Sequence, residues 1–222
     1  NLGGGKTDSV IAQTVDVAVD IDEAGAVTNT VTITKVHTGM PDALFSGRNN
    51  VDYLRLYVPQ GSTLLSAEGF EIPSEELFED SDLPLALDEE LTLAMTDVHS
   101  DLATGTDIWN EEGKTVFGNW MQTAPGATEV VRLTYRLPFS VAPNEDSGLL
   151  GMAKNELGLG RLAPYTMFVQ KQPGVLSRMT SVTVSLPPSL AAVWSSHDAF
   201  GQGTVTADNA EDQFYRVLLE RE

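Results

Sequence analysis

Hydrophobic and polar residues alternate along the first part of the chain. The odd positions of one stretch are apolar: Val15, Val17, Val19 and Ile21. Aspartate or alanine fills the even positions between them, and such period-two alternation is typical of a β-strand with one buried face. A second alternating segment, 27–36, follows a short loop whose Gly25 can adopt a positive φ. The pattern predicts an antiparallel hairpin of segments 9–21 and 27–36.

Similar short segments recur along the rest of the chain. The other predicted strands are 51–59, 62–70, 114–121, 128–138, 162–174, 178–189, 190–196, 203–208 and 213–220. Three of them reach a proline, in YVPQGS, YRLPFS and SLPPSL, and proline favours the end of a strand because it cannot donate to the ladder. In segment 128–138 one face is apolar, so we expect these residues to be buried together: Val131, Leu133, Tyr135 and Leu137, with Val17 and Val19.

These strands and the scarcity of helical periodicity predict an all-β fold. We expect an immunoglobulin-like β-sandwich, either one elaborated sandwich or two closely docked ones. Residues 1–140 would form the first, with an acidic and partly helical insertion at 71–113, and residues 141–222 would form a second β-rich region docked on it. The Gly-, Pro- and Asn-rich stretch 140–160, with at most a turn of helix at 149–157, marks the boundary.

Charge and composition restrict the partners. The 222 residues carry a formal net charge of −19, so the surface should repel nucleic acid and anionic lipid. No apolar run approaches the length that a membrane-spanning helix needs. The absence of cysteine excludes disulfides and thiol catalysis and agrees with a bacterial surface protein, although many cytosolic proteins also lack cysteine. The acidity is equally compatible with a saline habitat, where charge maintains solubility.

The sequence assigns no catalytic, cofactor-binding or metal-ligating residue. The opening Gly3-Gly4-Gly5-Lys6-Thr7 lacks the upstream glycine, the strand and the helix of a phosphate-binding loop. Consecutive side chains on an extended chain point to opposite faces, so Ser196-His197-Asp198 is not expected to form a catalytic triad. No cofactor is expected.

Histidines and acids give no metal-binding spacing. The three histidines, His37, His99 and His197, are widely separated and are expected to face solvent or lie in loops. Clustered acids could supply oxygen ligands to calcium, but neither cluster has a known calcium-loop spacing, so solvated acidic faces are the preferred interpretation. The clusters are Glu75, Glu76, Glu79, Asp80, Asp82, Asp88, Glu89 and Glu90, and Asp16, Asp20, Asp22 and Glu23.

A covalent crosslink is another chemistry open to a cysteine-free sandwich. Some extracellular sandwiches of Gram-positive bacteria carry an isopeptide bond between lysine and asparagine. Lys6 or Lys35 could supply the amine, but nothing in the sequence selects the asparagine.

Several quoted segments together resemble a known family. These are NLGGGKTD, HTG, NNVDYLRLYVPQGSTLLSAEGF, GKTVFGNWMQTAPGATEVVRLTYRLP and PYTMFVQKQPG. The succession resembles the C-terminal β-rich region of an uncharacterised family of membrane-anchored bacterial envelope proteins, of the domain of unknown function 4012 type. The resemblance covers residues 1–174 and more weakly the remainder, and it implies an upstream anchor and display of this region outside the cell. It implies no catalytic residue, and the acidic stretch 75–90 departs from the pattern.

We therefore expect a non-enzymatic, extracellular structural or adhesive module on the bacterial surface. A self-assembling filament would use the first strand, 9–21, donated from a sheet edge to a neighbouring copy. The first alternative is a module that binds cell-envelope glycan, in which Trp109, Trp120 or Trp194 would be exposed; inside strand patterns, Trp120 and Trp194 are more often core residues. The second alternative is an accessory domain of a hydrolase, and a hydrolytic site would gather carboxylates in a cleft.

Overall fold

The computed structural model describes residues 7–78, 88–141, 162–171, 178–198, 200–201, 203–208 and 210–221. It contains thirteen strands in those ranges: β1 (Ile11–Ile21), β2 (Ala26–His37), β3 (Asn50–Pro59), β4 (Thr63–Glu68), β5 (Thr96–Asp101), β6 (Thr106–Glu111), β7 (Lys114–Thr123), β8 (Thr128–Ser140), β9 (Leu162–Val169), β10 (Arg178–Ser185), β11 (Leu190–Ser195), β12 (Thr204–Asp208) and β13 (Gln213–Arg221). Helix is confined there to α1 (Glu89–Ala94) and two 3-10 turns, Thr7–Val10 and Glu75–Leu77. The all-β prediction is confirmed.

The strands form three sheets. A six-stranded sheet has the order β12-β10-β1-β2-β8-β4, a four-stranded sheet the order β3-β7-β6-β5, and a three-stranded sheet the order β11-β13-β9. Several layers of sheet agree with the predicted β-sandwich class.

The predicted first hairpin is present as β1 and β2. Its turn is closed by Asp22, whose Oδ1 accepts hydrogen bonds from the N–H groups of Ala24 and Ala26 at 2.9 and 2.8 Å. Gly25 has φ of 77°, a conformation that glycine adopts without steric cost. An Asx-type turn with a glycine therefore fixes the register of the hairpin.

The first strand lies inside its sheet. β1 is flanked by β2 on one side and by β10 on the other, where it pairs in parallel from Gln13 opposite Arg178 to Asp20 opposite Ser185. The backbone groups of β1 are thus used within the chain. The expectation that this strand sits at a sheet edge is wrong, because the parallel partner comes from a segment more than 150 residues away.

Two compact units emerge among the described residues. The first contains residues 7–12 and 33–133, and the second contains residues 13–32 and 134–221. Both units are discontinuous in sequence, because β1, β2 and β8 each contribute residues to the two of them. This division differs from the sequence-based boundary near residue 140, which stays a prediction about domains. The proposed boundary segment lies mostly outside the described residues, as does the helical turn at 149–157.

The acidic interval 71–113 is only partly an insertion. Its 3-10 turn and α1 agree with the predicted partial helicity. Residues 96–111, however, form β5 and β6 of the four-stranded sheet. The sequence did not predict these strands. All of β5 except Asp101 is exposed, so β5 has no alternation of buried and exposed positions from which a strand could be predicted.

Proline ends two of the three proposed strands. β3 ends at Pro59, and β10 ends before the Pro187-Pro188 pair. β8 continues past Pro138 to Ser140, which corrects the third expectation. A proline inside a strand is tolerated where its missing N–H is not needed by a neighbouring strand.

Alternation of side chains fixes the buried faces. All six residues predicted to be core are less than 8 % exposed: Val17, Val19, Val131, Leu133, Tyr135 and Leu137. On β2 every odd position from Val27 to His37 is buried. The inward row of β2 therefore includes Asn29, Lys35 and His37 as well as apolar side chains, and each polar group needs a partner there.

Replacement of Leu133 by alanine should destabilise the protein by about 2 to 5 kcal/mol, because it removes a fully buried side chain and leaves a cavity. Urea denaturation would measure this change in the free energy of unfolding. Leu102→Ala is the matched control, since Leu102 is 99 % exposed and should change stability by no more than about 0.5 kcal/mol. Equal effects of the two substitutions would contradict the assignment of Leu133 to the core.

Buried tyrosines give the protein an alkaline limit. Burial, together with the charge of Tyr135, raises the pKa of Tyr165 above its usual value. The folded state therefore binds the phenolic proton more tightly than the unfolded state, so this stabilisation is present below about pH 10 and is lost as the pH rises further.

We expect the free energy of unfolding to fall above about pH 10 and Tyr165→Phe to make that fall shallower. Urea denaturation at a series of pH values would measure both. A wild-type stability that is flat or rising across this range would contradict the prediction.

Candidate functional site

One face of the three-stranded sheet is apolar and exposed. β13 buries Tyr215, Val217 and Leu219 on its inner side, so the even positions of this strand point outward. In the outward rows, Phe214 lies opposite Phe168, Arg216 opposite Thr166, and Leu218 lies between Trp194 and Pro164. We call these seven residues the aromatic face.

The three rings of the aromatic face are well exposed. Phe214 is 61 % exposed, Trp194 51 % and Phe168 47 %. The rings of Phe168 and Phe214 touch with centroids 4.5 Å apart, within the range of favourable aromatic pairs. Trp194, Arg216 and Leu218 line a shallow depression of about 460 Å³. The face thus combines fixed apolar rings with one cation.

A β-bulge turns Trp194 outward. Ala192 lies opposite Leu219 in the inner row, but the register then shifts and Trp194 lies opposite Leu218 in the outer row. Without the extra residue, Trp194 would lie opposite the buried Val217. The expectation that Trp194 is a core residue is therefore wrong, because a bulge reverses the alternation on which that expectation depended.

The other two tryptophans are not available as stacking platforms. Trp109 is 2 % exposed, and its Nε1 donates to Glu111 Oε2 at 2.8 Å. Trp120 is half-buried and meets the rings of Tyr53 and Phe78 edge-on at 5.0 and 5.5 Å. Both therefore serve packing in the first unit.

A second feature of the first unit is a polar cluster of four buried residues and one exposed one, which we call the lysine cluster: Lys35, Asn50, Asp52 and Thr7, with the exposed Asp8. The side chain of Lys35 forms an ion pair with Asp52, and its Nζ lies 3.3 Å from Asn50 Oδ1. Asn50 Nδ2 donates to Thr7 Oγ1 at 3.1 Å and to Asp8 Oδ1 at 3.0 Å. Of the two lysines considered for a crosslink, Lys35 belongs to this cluster, and Lys6 lies outside the described residues.

Alternation explains why these side chains meet. Lys35 belongs to the inward row of β2, and Asn50 and Asp52 are two residues apart on β3, where both are buried. Residues i and i+2 of a strand share a face, so the amide and the carboxylate both reach the lysine. The inward position of Lys35 is readable from the sequence, but its partners are not.

A shallow cleft of about 330 Å³ also lies in the first unit, with Asp97, His99 and Asp101 on its wall. Its carboxylates have structural partners: Asp97 Oδ2 accepts from Asn110 at 2.8 Å, and Asp101 Oδ2 accepts from the Thr104 hydroxyl at 2.6 Å. These contacts stabilise the β5–β6 segment. Neither of them pairs a nucleophile with a base.

Tyr53 and Asp107 form a hydrogen-bonded pair in the first unit, and the pKa of Tyr53 is perturbed. Tyr53 OH donates to Asp107 Oδ2 at 2.7 Å. Burial, followed by this hydrogen bond and the charge of Asp107, raises the pKa of Tyr53 above its usual value. The phenol therefore stays protonated and acts as a donor.

The histidines differ from expectation in one case. His37 is 1 % exposed; its Nδ1 accepts from the Gly39 N–H at 3.1 Å, and its Nε2 lies 3.0 Å from Arg48 O. His37 is therefore a satisfied core residue, and its expected solvent or loop position is wrong because it continues the inward row of β2. His99 is exposed, with Nδ1 2.8 Å from Asp97 O.

The Ser196-His197-Asp198 stretch does not form a triad. Ser196 Oγ lies 3.0 Å from His197 Nδ1 but also accepts from the Arg216 N–H at 2.9 Å. The imidazole stacks on Tyr215 with centroids 4.9 Å apart. The serine thus joins β11 to β13, and no carboxylate among the described residues hydrogen-bonds to the histidine as a triad would require.

Two acidic side chains of the first hairpin accept hydrogen bonds from serine hydroxyls. Asp16 accepts from the hydroxyl of Ser181, and Glu23 accepts from that of Ser189. Within the described residues, no group of three or more His, Asp or Glu side chains converges as a metal site would require. Glu79, Asp80 and Asp82 lie outside those residues. No helix among the described residues has the length and hydrophobicity to cross a membrane.

Comparisons with known proteins are limited. No family model matches the chain, and no curated protein matches it. Among solved structures, a variant M1 zinc metallopeptidase from Deinococcus radiodurans bound to a Tyr-Ser-Ala substrate is similar at 14% identity with a TM-score of 0.32, over 95% of this chain and 42% of that chain. The M1 zinc metallopeptidase from the same organism is similar at 13% identity with a TM-score of 0.29, over the same shares. This chain spans less than half the length of these solved chains.

Calcium should not stabilise the protein. Asp22 is occupied by the turn, and Asp16 and Glu23 by serines, so these acids do not form a convergent ligand set. A bound ion stabilises by RT ln(1 + [L]/Kd), and without a site the Tm should move by less than about 1 °C on adding calcium or a chelator. Differential scanning calorimetry would measure it, with magnesium as the control ion. A calcium-specific shift of several degrees would contradict this prediction.

Proposed function

We propose that the chain is a non-enzymatic structural or adhesive module displayed on the outside of a bacterial cell, and that it binds a protein partner through the aromatic face. The observation that carries this proposal is the set of three exposed rings on one sheet face. Contiguous exposed apolar surface is uncommon on a free soluble protein and marks an interaction surface. The absence of cysteine and the resemblance to envelope proteins support the extracellular location.

The composition of the face favours a protein partner. Trp194 and Arg216 are of the residue types that most often dominate binding energy, and the paired rings of Phe168 and Phe214 add a rigid apolar area. None of the seven residues of the face is acidic, and Glu220 is the next residue of the outward row of β13. The net charge of −19 should attract a partner with basic residues around an apolar centre.

Glycan binding is a second candidate, and the exposure of Trp194 favours it. An exposed indole gives a flat surface on which a sugar ring can stack, and the Arg216 guanidinium beside it can donate hydrogen bonds to hydroxyl groups. Two of the three tryptophans are unavailable, so a glycan would bind around Trp194.

Binding of the labelled protein to intact cells of the producing bacterium would distinguish these candidates. We expect protease treatment of the cells to abolish binding and periodate oxidation of their glycans to leave it intact. The reverse pattern would replace the protein partner with a glycan. Sedimentation of the protein alone would reveal association between copies, which the filament hypothesis requires.

The variant Trp194→Ala combined with Phe214→Ala should weaken binding to cells about 10-fold or more, since hot-spot truncations commonly cost more than 1 kcal/mol each. Leu44→Ala is the matched control, because Leu44 is 83 % exposed and lies in a different unit. Unchanged binding of the double variant, with a folded circular dichroism spectrum, would exclude the aromatic face as the binding surface.

A further inference from the structure

The lysine cluster has the composition and geometry of a crosslinking site. Lys35 is 3 % exposed and Asn50 is 1 % exposed. A lysine is almost never so buried without a partner, because removing an ammonium from water is costly. The ion pair with Asp52 supplies that partner. The ion pair does not by itself explain why the Asn50 amide also lies beside the amine.

The amide of Asn50 faces the amine with its carbonyl. Lys35 Nζ lies 3.3 Å from Asn50 Oδ1, while Nδ2 is held by Thr7 Oγ1 and Asp8 Oδ1 at 3.1 and 3.0 Å. Donors and acceptors are thus matched on both ends of the amide, which fixes its orientation. The amine is thus held within hydrogen-bond reach of the amide whose carbon it would attack, in a buried site, and such proximity raises the effective concentration of the two groups.

We propose that Lys35 and Asn50 form an intramolecular isopeptide bond, with Asp52 as the group that moves the proton. Asp52 accepts a proton from the Lys35 ammonium, and the neutral Nζ attacks Cγ of Asn50. The new Nζ–Cγ bond forms, the Cγ–Nδ2 bond breaks, and Asp52 returns its proton to Nδ2. The nitrogen leaves as ammonia, which takes up the second amine proton and departs as ammonium, and Asp52 ends as a carboxylate. No oxidant, metal or cofactor enters this balance.

The leaving group has an exit. Asn50 Nδ2 donates to Asp8, which is exposed, so the ammonium formed from this nitrogen can depart toward solvent past Asp8. The acceptor oxygens of Asp8 and Thr7 also hold the amide in place while Nζ approaches. Thr7 and Asp8 are therefore positioning residues, and Lys35, Asn50 and Asp52 carry the reaction.

The bond would link residues of the first unit that belong to different sheets. Lys35 lies on β2 of the six-stranded sheet and Asn50 on β3 of the four-stranded sheet. A covalent link between them would do what a disulfide does in an oxidised extracellular protein, in a chain that has no cysteine.

Intact mass spectrometry of the purified, folded chain tests this inference. We expect a mass below that of the sequence by one ammonia. In a tryptic digest, modified Lys35 is not cleaved, so residues 7–48 should appear covalently joined to residues 49–55, with fragment ions that place the link on Lys35 and Asn50. Loss of water instead of ammonia would make Asp52 the acceptor and overturn the assignment.

Three variants and one unfolded control sharpen the test. Lys35→Arg and Asn50→Ala should each have the full sequence mass, and Asp52→Asn should lose ammonia at least 10-fold more slowly. Wild-type chain kept in urea from the time of synthesis should also keep its full mass, because the reaction depends on the folded geometry. Loss of ammonia in Lys35→Arg, or in the unfolded chain, would indicate cyclisation elsewhere. A folded wild-type protein of full mass overturns the proposal whatever the variants do.

Discussion

The buried row of β2 is the constraint on which the surroundings of this strand depend. Six side chains, at every odd position from Val27 to His37, point into the interior. Period-two geometry leaves no freedom to turn one of them outward without turning the whole row. Asn29, Lys35 and His37 must therefore find partners where they stand, and the neighbouring segments are built to supply them. Tyr135 OH accepts from Asn29 Nδ2, although Asn29 Oδ1 is buried without a hydrogen-bond partner among the described residues. β3 supplies Asn50 and Asp52 to Lys35, and Arg48 O and the Gly39 N–H contact His37.

Local pattern was enough to predict most strands. The first hairpin was readable because alternation and its turn residues lie within one short segment, and the inward face of β8 was readable for the same reason. β5 and β6 were not predicted as strands, since β5 is exposed almost throughout. The position of β1 inside its sheet could not be predicted from the sequence either. Its parallel partner β10 is remote in sequence, and any of several strands could have paired with β1 there.

The candidate sites show the same division between local and remote information. That Lys35 faces inward follows from its place in the alternation, but the choice of Asn50 over the other asparagines depends on how β3 meets β2. Trp194 shows the opposite problem, because the local pattern was misleading. One extra residue in β11 moved the indole from the row of Val217 to the row of Leu218, and a bulge of this kind leaves no mark in the hydrophobic pattern.

The parallel pairing of β1 with β10 also sets an order of events during synthesis. β1 is synthesised before β10, and the strand that covers its second edge cannot pair until residue 185 has been made. Until β8 and β10 have been made, the valine-rich β1–β2 hairpin has unpaired edges, which are the kind of surface that recruits other chains. Asp16 and Asp20 on the outer row of β1 place negative charge beside the edge of this strand. Their like charges oppose pairing between exposed copies of β1, and the long sequence separation between β1 and β10 makes the pairing of these two strands a slow step of folding.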